Sequence, residues 1–170
     1  MGAKTMRLVT NRWLISLVLG LGAFGLANAE AKELRWEDLM PKDWAPELPG
    51  QPQSHDALVL ESSRSLQILA PVVESLNDQQ IRIPGFVIPV EFAEDSVTEF
   101  LLVPYMGACI HVPPPPSNQM VYVKLAKPIS TANLWDPVWV EGKMKTENFK
   151  TRYADTGYVM ESAVTEVYRY

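Results

Sequence analysis

The stretch Ile81-Arg82-Ile83-Pro84-Gly85-Phe86-Val87-Ile88-Pro89-Val90-Glu91-Phe92 decides the fold. Its apolar side chains recur at every second position, the period of a strand lying against a core. Ile81 and Ile83 hold odd positions, whereas Phe86, Ile88, Val90 and Phe92 hold even ones, and the change falls at Pro84-Gly85. A β-bulge there would restore one apolar face, so a single long strand with a bulge near its start is expected. Downstream, Phe100 to Val103 reads as a second strand. Met120 to Leu125 is a third, with Val121, Val123 and Leu125 alternating against Tyr122 and Lys124. Val138 to Met144 and Tyr158 to Tyr168 supply a fourth and a fifth. The expected fold is mainly β: a small five-stranded antiparallel barrel, resembling an oligonucleotide/oligosaccharide-binding fold, formed by a single domain over 57–170.

Upstream of the strands, short helical structure is expected. Glu33 to Met40 is read as one short helix with Leu34, Trp36 and Leu39 along its apolar side. It belongs to a Pro- and Trp-containing N-terminal segment, 30–56, whose prolines from Pro41 to Pro52 exclude regular structure and whose Trp36 and Trp44 are expected to pack along the domain. Leu66, Leu69, Val72, Val73 and Leu76 keep helical spacing across Pro71, giving a second short helix or broken turn. Asn77-Asp78 is a turn signal before the first strand.

Lys4, Arg7 and Arg12 precede an apolar run from Trp13 to Leu26 and a small-x-small pattern at Ala27-Asn28-Ala29. This reads as a secretory signal peptide over 1–29, cleaved after Ala29, and places the mature chain in the periplasm. The run is shorter than the roughly 20 residues a spanning helix needs, so contact with the membrane is expected only through partners. Cleavage removes 3 of the 15 basic residues and none of the 20 acidic ones, leaving 12 against 20, or net −8. Such a surface repels nucleic acid. The chain holds one cysteine, Cys109, and two histidines, His55 and His111. An internal disulfide is therefore excluded, and Cys109 is free, metal-bound or paired to another molecule.

Cys109 and His111 stand two apart, just before Pro113-Pro114-Pro115-Pro116-Ser117-Asn118-Gln119. On an extended backbone both project to one face, and the four prolines stiffen the next residues into a polyproline strap. Three readings are open. Cys109 and His111 are two ligands of a divalent metal, zinc foremost, completed by Glu91, Glu99, His55 or a metal donor protein. Alternatively Cys109 is a small buried residue and His111 a post for the strap, with Asn118 and Gln119 capping backbone groups near the prolines. In the third, Cys109 is a nucleophile or redox thiol activated by His111, although no orienting third residue is visible. This thiol reading ranks last, because a lone exposed thiolate in an oxidising compartment would risk mixed disulfides and over-oxidation. The absence of a Gly-rich phosphate loop, paired-cysteine knuckle or nucleophile elbow removes the easy enzyme classes.

The strap is also a candidate docking ridge. Prolines lose little chain entropy on binding, and aromatic-lined grooves accept them. Tyr105, Pro113, Pro114, Pro115, Pro116, Asn118, Gln119 and Trp135 are the candidate partner-binding residues, with Tyr122 and Trp139 as further aromatics near the strap.

The segments Ile83 to Pro89, Glu99 to Tyr105 and Gly107 to Gln119 resemble an uncharacterised family of exported proteobacterial proteins, domain of unknown function 3299. The resemblance spans roughly Val72 to Tyr168. Members are often encoded beside an ABC-type transporter and a periplasmic metal-binding protein under zinc-responsive control. The resemblance thus implies a non-enzymatic accessory role in zinc acquisition or envelope metal homeostasis, with the transporter component or the metal-binding protein as partner. Some members look like lipoproteins, but this chain lacks a lipid-acceptor cysteine.

Overall fold

The computed structural model describes residues 2, 30–45, 67–108 and 114–169. The signal-peptide reading over 1–29, Gly2 aside, lies outside the described residues, as do His55, Cys109, His111 and Pro113. No helix among the described residues is long and apolar enough to cross a membrane.

Eight strands succeed one another in chain order: β1 (Lys32–Glu33), β2 (Gln80–Ala93), β3 (Ser96–Val103), β4 (Val121–Ser130), β5 (Val138–Lys145), β6 (Phe149–Lys150), β7 (Asp155–Thr156) and β8 (Tyr158–Val167). β2, β3, β4, β8 and β5 are neighbours in that order, and β2 also pairs with β5, which closes a five-stranded barrel. Each of the five expected strands is present. The barrel is mixed rather than antiparallel, because β4 and β8 run parallel from Val121↔Tyr158 to Leu125↔Ala163. Parallel neighbours cannot be joined by a hairpin, and β5 with the β6–β7 ladder forms the crossover between them.

The barrel interior is filled by Ile81, Ile83 and Val87 of β2, Phe100 and Leu102 of β3, Val121 and Val123 of β4, Val140 and Met144 of β5, and Tyr158 and Met160 of β8. Odd positions of β2 stay inside from Ile81 through Gly85 to Val87, so no bulge occurs at Pro84-Gly85. The register shifts fall instead beside Glu91. Phe86, Ile88 and Val90 do not need to turn inward, because the outer face carries its own apolar cluster with Leu101, Val103, Met120, Tyr122 and Val159. Two buried faces, rather than one face with a phase change, explain the even-position residues. At the crossing point β2 exchanges β5 for β3 as its partner. There a side chain on Gly85 would lie 2.8 Å from the Val103 carbonyl oxygen and 2.9 Å from Leu102.

The Glu33–Met40 helix does not form, and of the second expectation the broken turn is what appears. Lys32 and Glu33 pair parallel to Ile81 and Arg82, and only Trp36–Leu39 makes a single 3-10 turn. The three apolar residues anchor separately: Leu34 and Leu39 are buried, and the Trp36 indole N–H donates to the Pro84 carbonyl at 2.7 Å. Those separate anchors hold an extended path better than a helix would, which is why spacing alone misleads here. Of the second stretch, 67–73 is irregular and Glu74–Leu76 is a 3-10 turn. Pro71 removes a donor there, and the carbonyls of Ile68 and Pro71 accept from the main chain of Ser117 and the side chain of Asn118 instead. The Asn77-Asp78 turn is present, with Asp78 at φ 61.

Candidate functional site

Two regions bear on function: the shoulders of the Cys109–Pro113 stretch, and the outer face of β2, β3 and β4. Both lie toward the barrel end where β3 finishes and β4 and β8 begin.

The chain enters the stretch at Ala108, which is fully buried, and leaves it at Pro114 and Pro115, also buried. Residues 67–71 lie along this exit. The Ser117 N–H donates to the Ile68 carbonyl at 2.9 Å, and the Ser117 hydroxyl accepts from the Ala70 N–H at 2.8 Å. The Gln67 amide joins three segments: it donates to the Pro115 carbonyl at 3.0 Å and the Asp155 carbonyl at 2.8 Å, and accepts from the Asp155 N–H at 2.8 Å. Asn118 donates to the Pro71 carbonyl at 2.9 Å, and Gln119 donates to the Trp36 carbonyl at 2.9 Å. Pro114 and Pro115 therefore do not form an exposed ridge. Both are buried, and the Pro115 carbonyl is used internally by Gln67. Pro116 is half-buried, while Tyr105 and Met106 are exposed beside the entry.

The expected aromatic surface near the strap does not assemble. Trp135 is 73 % exposed but sits just before β5, at the barrel end remote from Pro114. Trp139 lies on the flank, with the Arg82 guanidinium 4.3 Å from its ring centre and Tyr168 against it. Tyr122 points out from β4 beneath Phe149, the ring centres 4.0 Å apart and the planes 18° from parallel.

In barrels of this type, ligands commonly bind on the outer face of the second and third strands and the loops flanking it. Here the chain's own 146–157 connection lies over that face. Phe149 stacks on Tyr122, Tyr153 and Ala154 join the outer apolar cluster, and Arg152 donates to the Val90 carbonyl at 3.0 Å. The Tyr122 hydroxyl donates to Glu99, and Lys124 stands over both rings, 6.0 and 5.7 Å from their centres. Burial foremost, and the Glu99 carboxylate next, push the Tyr122 hydroxyl above the usual phenol range. Glu91 is exposed and stands opposite Glu99 in the β2–β3 register. Glu99, engaged by Tyr122, is thus built into the outer face rather than left as a spare metal ligand. Among the described residues no three His, Cys, Asp or Glu side chains cluster as a metal site. Reading the sequence missed Gln67 and Phe149, which carry no motif; an aromatic in an otherwise polar connection was their one available sign.

A family profile described as "Protein of unknown function (DUF3299)" matches residues 36–167. The chain belongs to the DUF3299 family. Its fold is similar to the crystal structure of a DUF3299 family protein from Pseudomonas aeruginosa PAO1, which is 41% identical. The likeness covers 82% of this chain and 97% of that chain, with a TM-score of 0.67. No curated protein matches. The matched span begins at Trp36, so the Trp36 and Leu39 anchors fall within the DUF3299 region.

Proposed function

We propose that the mature chain is a non-enzymatic accessory protein of the periplasm, an interaction module working beside an ABC-type transporter in zinc supply. Zinc is cargo in this reading, held in passing by Cys109 and His111 and completed by ligands from the transporter component or the periplasmic metal-binding protein. The observation that carries it is the fixing of both shoulders of the stretch. Ala108 is buried on one side, and Pro114, Pro115 and Ser117 are buried or bonded on the other. A thiol and an imidazole offered between two fixed points suit presentation to a partner. A catalytic reading needs a group orienting His111, and the sequence offers no such third residue.

The test is the rate at which Cys109 of the mature chain reacts with a thiol reagent, measured across pH with and without zinc. Protection that appears only with zinc supports the cargo reading. A depressed thiol pKa in the metal-free chain would make Cys109 a catalyst, and slow reaction in both states would make it a packing residue. Capture by the periplasmic domain of a candidate transporter, lost in Cys109→Ser with His111→Ala, tests the partner half.

A further inference from the structure

The barrel is zipped unevenly between β4 and β8. The β5–β8 ladder runs as far as Val138↔Val167, but the β4–β8 ladder stops at Leu125↔Ala163. The parting has local causes. Ser162 takes φ 52, a left-handed conformation that a residue with a side chain adopts at a cost. It kinks β8 opposite Gly142, where a side chain would lie 2.7 Å from Met160 and 3.1 Å from the Ala163 Cα. β4 bends away at the same level, because its register on β3 jumps between Lys124 and Ile129. Beyond Ala163, β8 thus has a ladder neighbour on one side alone among the described residues.

The two rims of this opening differ. On β4 it is formed by Ala126-Lys127-Pro128, all exposed. A lysine and a proline that cannot donate are the usual protection of a strand edge against pairing. On β8 it is formed by Val164-Thr165-Glu166-Val167, three of them β-branched, with Val164 55% and Val167 53% exposed and no such protection. The Tyr168 N–H donates to the Pro137 carbonyl on the β5 side. By the alternation of an antiparallel ladder, the main-chain groups of Thr165 and Val167 face the opening. The flank is acidic: Arg82 is shared between Glu166 at 2.9 Å and Glu33 at 3.5 Å, two carboxylates on one guanidinium.

We infer that the β8 rim Val164–Val167 is a strand-addition site for an extended segment of a partner protein, one bearing an apolar residue opposite Val164 and a basic residue beside Glu166. Main-chain hydrogen bonds would hold the segment and the side chains would set its sequence. A second copy of this chain fits poorly, because self-pairing centred on Thr165 sets each Val164 against a Glu166. The rim lies at the barrel end remote from Ala108 and Pro114, since Tyr158 pairs with Val121 at one end and Val167 with Val138 at the other. It therefore stands independently of the zinc reading.

The probe is a blocked pentapeptide, acetyl-Thr-Val-Thr-Lys-Thr-amide, whose valine and lysine are two apart and so share a face as Val164 and Glu166 do, titrated into the mature chain with calorimetry and amide hydrogen exchange by NMR. The Thr165 and Val167 amides should exchange fast in the free chain while Glu166 is protected, and should slow on peptide addition. N-methylation of the peptide amides on one alternate set should abolish binding and on the other set leave it intact. Replacing the peptide lysine by glutamate should weaken binding roughly threefold, the size of an exposed ion pair. Thr165→Pro should not bind; if that variant unfolds, the N-methylation pair decides. Protection of both amides in the free chain, equal binding of both methylated peptides, or dimerisation lost in Thr165→Pro would each overturn the inference.

Discussion

The rings of Tyr122 and Phe149 lie stacked, centres 4.0 Å apart, although all of β5 intervenes between them in the chain. Phe149 occupies, from within the molecule, the place on the outer face where a barrel of this type commonly receives its ligand. The stack also shields the Tyr122 hydroxyl that donates to Glu99.

Phe149→Ala should cost about 1–2 kcal/mol, less than a full core truncation because the ring is half-buried. It should also move the Tyr122 ionisation down toward the ordinary phenol range, since burial is the main cause of its elevation. Ultraviolet titration of phenolate would record the change, and an unmoved Tyr122 would show that Glu99 alone sets it.

Tyr158 is fully buried in the barrel, donating to the Leu39 carbonyl at 2.8 Å and accepting from the Val73 N–H at 2.7 Å. Burial pushes its hydroxyl up to about 12. The unfolded chain then releases this proton first as pH rises past about 10, so the stability Tyr158 provides is full below that point and declines as pH climbs toward 12. Tyr158→Phe should lower stability at neutral pH by about 2–3 kcal/mol, leaving one donor and one acceptor unpaired. Denaturant melts at pH 8 and pH 11 should differ less in the variant than in the parent.

Gly85→Ala should destabilise by about 1–3 kcal/mol, because the new methyl meets the Val103 carbonyl at 2.8 Å and Leu102 at 2.9 Å. Gly107, at φ 82 with open space around it, offers a contrast. Gly107→Ala should cost only about 1 kcal/mol, a backbone penalty without a clash. Equal losses at the two sites would mean that the β2–β3 contact at Gly85 is softer than its geometry.

The strands were legible because short apolar runs and period-2 alternation are local: alternation survives in β5 and the first half of β4, β3 is a continuous apolar run, and β8 keeps its phase as far as the Ser162 kink. β2 was half legible. Its even-position residues read as a phase slip because a second buried face needs the 146–157 cover, which no local pattern announces. The parallel β4–β8 seam was hidden for the same reason, as strand direction is fixed by the path between strands and not by composition. Leu34, Trp36 and Leu39 imitate a helical face, yet each is claimed by a different long-range partner. Of the site, the strap and its capping Asn118 and Gln119 stood out in the sequence. Burial of Pro114 and Pro115 did not, because it depends on Gln67 and Ser117, whose bonds reach across 47 to 88 residues of chain.

Gln67 offers the sharpest test of how the strap is held. Its amide satisfies the carbonyls of Pro115 and Asp155 and the Asp155 N–H, tying the exit of the Cys109–Pro113 stretch to the connection that covers the outer face. Gln67→Leu keeps approximate volume but removes every one of these bonds, leaving part-buried main-chain groups unpaired at about 1–3 kcal/mol in total. Pro114→Ala with Pro115→Ala removes buried ring surface and loosens the unfolded chain, for about 1–2 kcal/mol together. If strap and cover are one unit, combining all three substitutions should cost less than the sum of the separate losses, because the bonds and the packing fail together. Melting temperatures of the three variants, with protease cleavage within 146–157 as a second readout, would measure the coupling. Strict additivity, with cleavage unchanged in Gln67→Leu, would mean that the strap and the Phe149 cover are held independently.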